Sequence, residues 1–264
     1  MKEYEQAIVY LSMAEIANRK SAIGNLKMAL VFDIETVGAD FDSLDETTRA
    51  SLTRWIRREA GDDEGKYNVL LADLKEGLGF SPLTGEIAAI GVLDTEKNKG
   101  VVYFQAPDSL IEEYKDANFV FKPKSEKDML EAFWRGAARY TEFVSFNGRS
   151  FDVPFLLLRS AACKVKPSVD LMSNRYLGSQ YYRAKHVDLL DQLSFYGAVR
   201  RKGNLHLYCR ALGIHSPKAD GITGDDVGRL FKERKYKEIA DYNSWDVIAT
   251  AELYDRWKNY IKVS

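Results

Sequence analysis

Apolar and polar positions alternate along this chain with two different periods, which predict strands interspersed with helices. Residues 30–36 begin within an apolar run, residues 29–32, and predict a buried strand. The apolar runs 86–93 and 100–105, joined by the polar residues 94–99, predict a β-hairpin. Further short strands are expected near residues 118–121, 142–146 and 185–187.

Apolar residues three and four positions apart predict helices between these strands. One helix should start at Ser125, and others should cover residues 151–162, 204–212 and 236–260. A hairpin combined with strands that alternate with helices is typical of an α/β fold, with a mixed sheet flanked by helices. Because repeats and linker-like segments are absent from the sequence, we expect one domain over residues 29–264 and an accessory N-terminal helix over residues 1–28.

A charged helical insertion is expected at about residues 38–82. Ser43 could cap its first helix, and a second helix should end at Gly77 or Gly79. The pattern is compatible with a lid, with a decoration of the fold, or with a surface for a protein partner.

Composition sets limits on the class of protein. The chain has 264 residues, a 45% apolar fraction and a formal net charge of −1, which are ordinary values for a globular protein. Cys163 and Cys209 form no C-x-x-C pair, and the sequence shows neither a signal peptide nor a run of 18 apolar residues. We therefore expect a cytoplasmic protein without a membrane partner.

The first candidate functional residues lie at the end of the first predicted strand, in the sequence DIET. Asp33 and Glu35 are two positions apart, so their side chains should project from the same face of the strand. Adjacent carboxylates resist ionising together unless a cation lies between them. The alternative is a strand that simply ends in acidic loop residues.

Two later segments supply further polar side chains. Asp152 follows a strand end in NGRSFDVPF, where it is either a functional carboxylate or a helix N-cap. Tyr242 and Asp246 lie four residues apart in YNSWDVIAT, so they share one face of the last predicted helix. The alternative is that this Tyr/Asp pair is structural.

Together, DIET, NGRSFDVPFL and YNSWDVIAT resemble the motifs of the DEDD superfamily of 3′–5′ exonucleases. The chain is most similar to the exonuclease domains of family B DNA polymerases and their stand-alone relatives. The tyrosine subtype fits, because Tyr242 stands four residues before Asp246, whereas Asp241 occupies the place of the histidine in the other subtype. The resemblance implies an RNase H-like fold.

The resemblance also implies a two-metal mechanism for phosphodiester hydrolysis. Asp33 would bridge two divalent cations, Mg²⁺ or Mn²⁺, with Glu35 and Asp246 completing one site and Asp152 holding the second ion largely through water. Tyr242 would orient the attacking water. The three histidines show no zinc-site spacing, which is consistent with ligands that are all oxygens.

The expected substrate is the 3′ end of single-stranded DNA or RNA. Between residues 149 and 218 there are 12 Lys and Arg against four Asp, so a basic flank lies beside the acidic motifs. Aromatic residues are interleaved there and could stack on bases, or they could belong to the core. The candidate substrate contacts are Thr36, Asn147, Phe151, Arg200, Arg201 and Lys202.

DNA is the leading substrate because the resemblance is to proofreading domains. The sequence contains no polymerase domain, so DNA repair or processing is expected rather than proofreading within one chain. The alternatives are an RNA-trimming enzyme and a non-catalytic nucleic-acid-binding module on the same fold.

Overall fold

A computed structural model describes residues 29–215 and 223–262 of the chain. It contains a mixed sheet of seven strands in the order β4-β5-β3-β2-β1-β6-β7. The β2–β3 hairpin is antiparallel and pairs antiparallel with β1, whereas β6 and β7 continue parallel to β1. The strands are β1 (Ala29–Gly38), β2 (Gly85–Asp94), β3 (Lys99–Phe104), β4 (Tyr114–Asp116), β5 (Phe119–Pro123), β6 (Glu142–Ser145) and β7 (Lys185–Asp188).

Helices cover both faces of this sheet, which confirms the predicted α/β architecture. The short strand β4 was absent from the sequence prediction. The helices are α1 (Glu46–Ala60), α2 (Glu64–Gly77), α3 (Glu126–Ala137), α4 (Asp152–Ala162), α5 (Leu189–Leu193), α6 (Leu205–Ala211), α7 (Val227–Lys232) and α8 (Tyr236–Tyr260).

Strand β1 lies inside the sheet, between β2 and β6, and is buried on both faces, which explains its continuous apolar run. Val31 packs in a core cluster that includes Val247 of α8. Phe32 packs on the opposite face, in a cluster that includes Phe133 of α3 and Phe155 of α4. Odd-numbered positions at the start of β1 therefore face α8, and this fixes the side from which Asp33 and Glu35 project.

The insertion is helical, as predicted, but its first cap is different. Asp45, not Ser43, accepts a hydrogen bond from the amide of Thr48 and caps α1, because Ser43 lies in a preceding 3₁₀ turn. The second helix ends at Gly77, and the next turn is fixed against β1 by a 2.7 Å hydrogen bond from Thr36 Oγ1 to the carbonyl of Gly79.

The accessory helix predicted for residues 1–28 lies outside the described residues, so it stays a prediction. Within the described ranges, no helix is both long enough and apolar enough to cross a membrane.

Candidate active site

Three carboxylates from opposite ends of the sequence meet beside the middle of β1, which continues past the predicted strand end to Gly38. Asp33 and Glu35 are opposite Gly91 and Ala89 of β2, and a register shift follows Glu35. Their ligand oxygens and one from Asp246 of α8 all lie within 4.8 Å of one another. The prediction that Asp33 and Glu35 share one face therefore leads to a cluster with Asp246.

Asp152 reaches the same region from the start of α4. Its Oδ1 accepts a 3.0 Å hydrogen bond from the backbone amide of Ile34, between the two acidic residues of β1. Asp152 is the first residue of α4, and the cap position belongs to Phe151, whose side chain makes no capping hydrogen bond. The alternative that Asp152 is an ordinary N-cap is therefore wrong.

The turn before Asp152 has a backbone that few residues tolerate. Asn147 adopts a φ of 63°, in the left-handed region that asparagine enters more readily than most side chains. A Cβ on Gly148 would lie 2.1 Å from Ser145 Oγ, so the turn needs glycine there. Asp188 of β7 accepts hydrogen bonds from the amides of Asn147 and Arg149 at 3.0 and 2.9 Å.

Asp188, the last residue of β7, also caps the next helix. It also accepts from the amides of Leu190 and Asp191, which makes it the N-cap of α5. The same carboxylate therefore couples β7 and α5 to the turn that carries Asp152.

A buried histidine, His186, hydrogen-bonds to the serine that precedes this turn. His186 Nε2 lies 2.8 Å from Ser145 Oγ, and its Nδ1 lies 3.1 Å from the carbonyl of Leu171. A carbonyl only accepts, so Nδ1 carries the proton and Nε2 accepts from the serine hydroxyl. Burial lowers the pKa of His186 to about 4, so the ring is neutral and structural at physiological pH.

Helix α8 supplies three polar side chains to the site from its sheet-facing side. Tyr242 is buried one turn before Asp246, while Val247 anchors the helix in the core. Asn243 is fully buried, and its Nδ2 donates a 2.8 Å hydrogen bond to Asp33 Oδ2. A Cβ on Gly91 would come within 2.3 Å of Asn243 Oδ1, so the glycine in β2 makes room for this side chain.

The electrostatics of the cluster are unfavourable for the bare protein. Burial, followed by repulsion from Asp152, Asp246 and Glu35, raises the pKa of Asp33 well above its usual range, against the hydrogen bond from Asn243. Burial also raises the pKa of Asp152 to about 7.

Tyr242 responds to the same surroundings. Burial and the neighbouring carboxylates Asp246, Glu35 and Asp33 raise its pKa, so its phenol stays protonated. A protonated phenol is a hydrogen-bond donor and not a base at neutral pH.

A family model described as "predicted 3'-5' exonuclease related to the exonuclease domain of PolB" matches residues 108–262, which is more than half of the chain. The chain belongs to this family. The matched residues include Asp152, Tyr242 and Asp246, whereas Asp33 and Glu35 precede them in sequence. The structure places that earlier pair beside Asp246, so both parts contribute to one site.

Structural comparison shows that the fold is shared with a DNA polymerase. The family B DNA polymerase from the hyperthermophilic archaeon Pyrobaculum calidifontis is similar to the chain, with a TM-score of 0.54 at 14% identity. The alignment covers 88% of this chain and 24% of the polymerase, so the chain spans about a quarter of that protein. This likeness confirms the predicted RNase H-like sheet. No curated protein matches the chain.

In this exonuclease-family chain the carboxylates line a pocket of about 450 Å³. Of the candidate substrate contacts, Asn147, Phe151 and Lys202 also line it. Arg200 and Arg201 are exposed and are not among the lining residues. Thr36 is not among them either, because its hydroxyl is used by the turn after α2.

Several residues in or directly behind the pocket of the exonuclease-family chain were missed by sequence reasoning. Asn243 is the most important, because its amide is the hydrogen-bond donor to Asp33. Its signal was a polar residue on the packed face of a helix, where burial without a partner is costly. Phe146 and His206 line the pocket itself, and neither belongs to a motif.

Proposed function

We propose that this chain is a metal-dependent 3′–5′ exonuclease of the tyrosine subtype that shortens single-stranded nucleic acid, with DNA as the favoured substrate. The observation that carries the proposal is the convergence of Asp33, Glu35 and Asp246 within 4.8 Å, with Asp152 in the same pocket. Tyr242 lines that pocket too, as the proposed subtype requires.

The donor set fits divalent cations. All four candidate ligands are carboxylates, and oxygen ligands favour Mg²⁺ or Mn²⁺ over zinc. The raised pKa of Asp33 has burial and three neighbouring carboxylates as its causes, and a cation among them would relieve that repulsion. Asp33, Glu35, Asp246 and Asp152 would hold two such ions.

When bound, the ions supply the positive charge that activates water at neutral pH and stabilises the oxygen leaving the phosphodiester. The chain's own groups position the reactants around that charge. The amide of Ile34 holds Asp152 at one oxygen, and Asn243 holds Asp33 at Oδ2. Fixing the carboxylates in advance lowers the reorganisation needed during the reaction.

Tyr242 acts as a positioning group for the attacking water. Its raised pKa keeps the hydroxyl protonated, and hydrogen bonding to Asp246 contributes to that shift. The phenol therefore orients water and leaves proton removal to other groups.

The pocket accommodates the terminal nucleotide of a strand. The ring of Phe151 is 5.1 Å from that of Phe155, so it offers a braced apolar surface, and Lys202 supplies positive charge on the pocket wall. A base and a phosphate are complementary to these two groups.

The test is digestion of 5′-labelled single-stranded DNA and RNA of identical sequence, side by side, with Mg²⁺ or with Mn²⁺. We expect a ladder that shortens from the 3′ end, faster on DNA, and no ladder with EDTA. Asp33→Asn should remove the activity, because it deletes the charge at the centre of the cluster.

The matched control is Asp73→Asn, which neutralises an exposed carboxylate on α2 and should keep full activity. Cleavage that persists in Asp33→Asn would overturn the site assignment. Faster digestion of RNA would replace the DNA preference with RNA trimming. An inactive wild-type protein that still binds strands would favour a non-catalytic module.

A further inference from the structure

A surface of exposed aromatic rings lies beyond the pocket, around the edge strand β7. Tyr176, Tyr181, Tyr182 and Phe195 are 57%, 73%, 66% and 59% exposed. We call these four residues the aromatic surface. Large rings exposed together on a folded protein generally mark an interaction site, whereas single exposed rings need no explanation.

Hydrogen bonds and ring contacts join the two segments that carry these rings. Tyr196 OH accepts from the amide of Leu177 at 3.0 Å and from Gln192 Nε2 at 2.8 Å. The ring of Tyr196 is also 4.9 Å from that of Tyr176. The loop after α4 and the turn after α5 are therefore held side by side.

The turn that presents Phe195 has a costly backbone. Phe195 and Tyr196 have φ values of 49° and 56°, in the left-handed region that aromatic residues rarely adopt. Tyr196 gains two hydrogen bonds in this conformation, whereas the ring of Phe195 is left mostly in water. Strained backbone that exposes an apolar ring points to a function for that ring.

The same region carries an excess of positive charge. Residues 172–203 contain six Lys and Arg against two Asp, and both acids are buried, Asp188 under the turn at Asn147 and Asp191 against Arg175. Arg183 donates to Tyr182 OH at 2.7 Å, and its guanidinium lies 5.4 Å from the centre of that ring. The exposed charges of this segment are therefore all cationic.

One ring of the aromatic surface, that of Phe195, is close to the pocket along the chain. Lys202, which lines the pocket, follows Phe195 by seven residues, a separation of at most about 25 Å. A strand whose last nucleotide occupies the pocket could therefore reach Phe195 with its preceding nucleotides, and the contacts of Tyr196 hold the segment of Tyr176 beside it.

We propose that the aromatic surface binds the single-stranded substrate on the 5′ side of the nucleotide in the pocket. Bases stack on Tyr181, Tyr182 and Phe195, while Arg183 and the exposed cations after Phe195 neutralise phosphates. The inference rests on the proposed function. It assigns a long footprint to the enzyme, because these rings lie outside the pocket.

The test compares oligothymidylates of about 4 and about 16 nucleotides, 5′-labelled with fluorescein, by anisotropy with Ca²⁺ in place of the catalytic ions. The variants are Phe195→Ala and Tyr181→Ala/Tyr182→Ala. Tyr260→Ala is the matched control, because Tyr260 is 78% exposed beside Arg256 at the far end of α8.

We expect the 16-mer to bind about tenfold more weakly for each stacked base lost. The ratio of the affinity for the 16-mer to the affinity for the 4-mer should therefore fall in both surface variants and stay unchanged in Tyr260→Ala. Arg183→Ala should lower the slope of log affinity against log salt by about 0.7, because one phosphate contact is lost.

Wild-type digestion of both lengths with unchanged 16-mer affinity in the variants would overturn this inference and leave the proposed function standing. An equal loss of affinity for both lengths would also overturn it, since the substitutions would then have disturbed the fold and not a contact with the longer strand. Variants that lose binding to phosphatidylserine vesicles and keep the 16-mer would assign the surface to membranes instead. A wild-type protein that neither binds nor digests either strand would refute the proposed function itself.

Discussion

The buried carboxylate of Asp152 should make the metal-free protein less stable as the pH rises. Its pKa is raised to about 7, chiefly by burial, whereas an aspartate in the unfolded chain titrates near ~3.9. Between these values the folded state keeps a proton that the unfolded state has lost. The free energy of unfolding therefore falls as pH increases from about 4 through about 7.

The size of the effect follows from the same two values. Integrated between about pH 5 and about pH 8, the difference in bound protons corresponds to about 2–3 kcal/mol of lost stability. Asp152→Asn removes this titration and keeps an oxygen that can accept from the amide of Ile34. Between these two pH values, the free energy of unfolding of the variant should therefore fall by about 2–3 kcal/mol less than that of the wild type.

The assay is urea unfolding with EDTA at both pH values, followed by far-ultraviolet circular dichroism. Mn²⁺ added at the higher pH should restore stability to the wild type more than to Asp152→Asn, because the variant lacks one ligand charge. Asp73→Asn, whose carboxylate is exposed, should follow the wild type at both pH values. Parallel pH dependence of the wild type and Asp152→Asn would refute this account of the site.

Three further predictions concern neighbouring groups. Tyr242→Phe should slow single-turnover hydrolysis by about 100-fold without changing the Mn²⁺ midpoint, and a shifted midpoint at full rate would contradict its water-orienting role. Asn243→Ala loses the 2.8 Å hydrogen bond to the charged Asp33, worth about 1.5 kcal/mol, so activity should require about tenfold more Mn²⁺; an unchanged Mn²⁺ titration would exclude this role. Glu126→Ala leaves Arg159 and the amide of Ile87 without their hydrogen-bond acceptor, so the free energy of urea unfolding should fall by about 3 kcal/mol. An altered Mn²⁺ midpoint in this variant would instead connect Glu126 to the site.

The arrangement of helices and strands was largely readable from the sequence because burial imposes regular periods. The predicted bounds of α8 and of the β2–β3 hairpin agree with the structure to within about a residue, since long periodic segments carry a strong signal. Strand β4 was missed because its three residues, Tyr114–Asp116, are too few to show a period. The cap of α1 was misplaced because Ser43 and Asp45 are both good capping residues, and only the 3₁₀ turn distinguishes them.

The site was predictable in its residue types and less so in its contacts. The spacing of Asp33 and Glu35 fixes their common face, and this local rule needs no knowledge of the rest of the chain. The bond from Asn243 to Asp33 spans 210 positions, and the His186–Ser145 pair spans 41, so their partners follow only from the folded topology. A resemblance between motifs can identify candidate ligands, but it does not reveal the neutral side chains that hydrogen-bond to them.

The pairing between β1 and β6 extends over only three residues, from Ala29 to Val31 of β1. Beyond that point the amide of Ile34 bonds to a side chain and no longer to a neighbouring strand. The candidate site therefore lies where the pairing of β1 with β6 stops, and further pairing would compete with Asp152 for the amide of Ile34. An engineered β6 lengthened by a few residues would extend this pairing and displace Asp152, which would add backbone hydrogen bonds to the sheet at the expense of the candidate site.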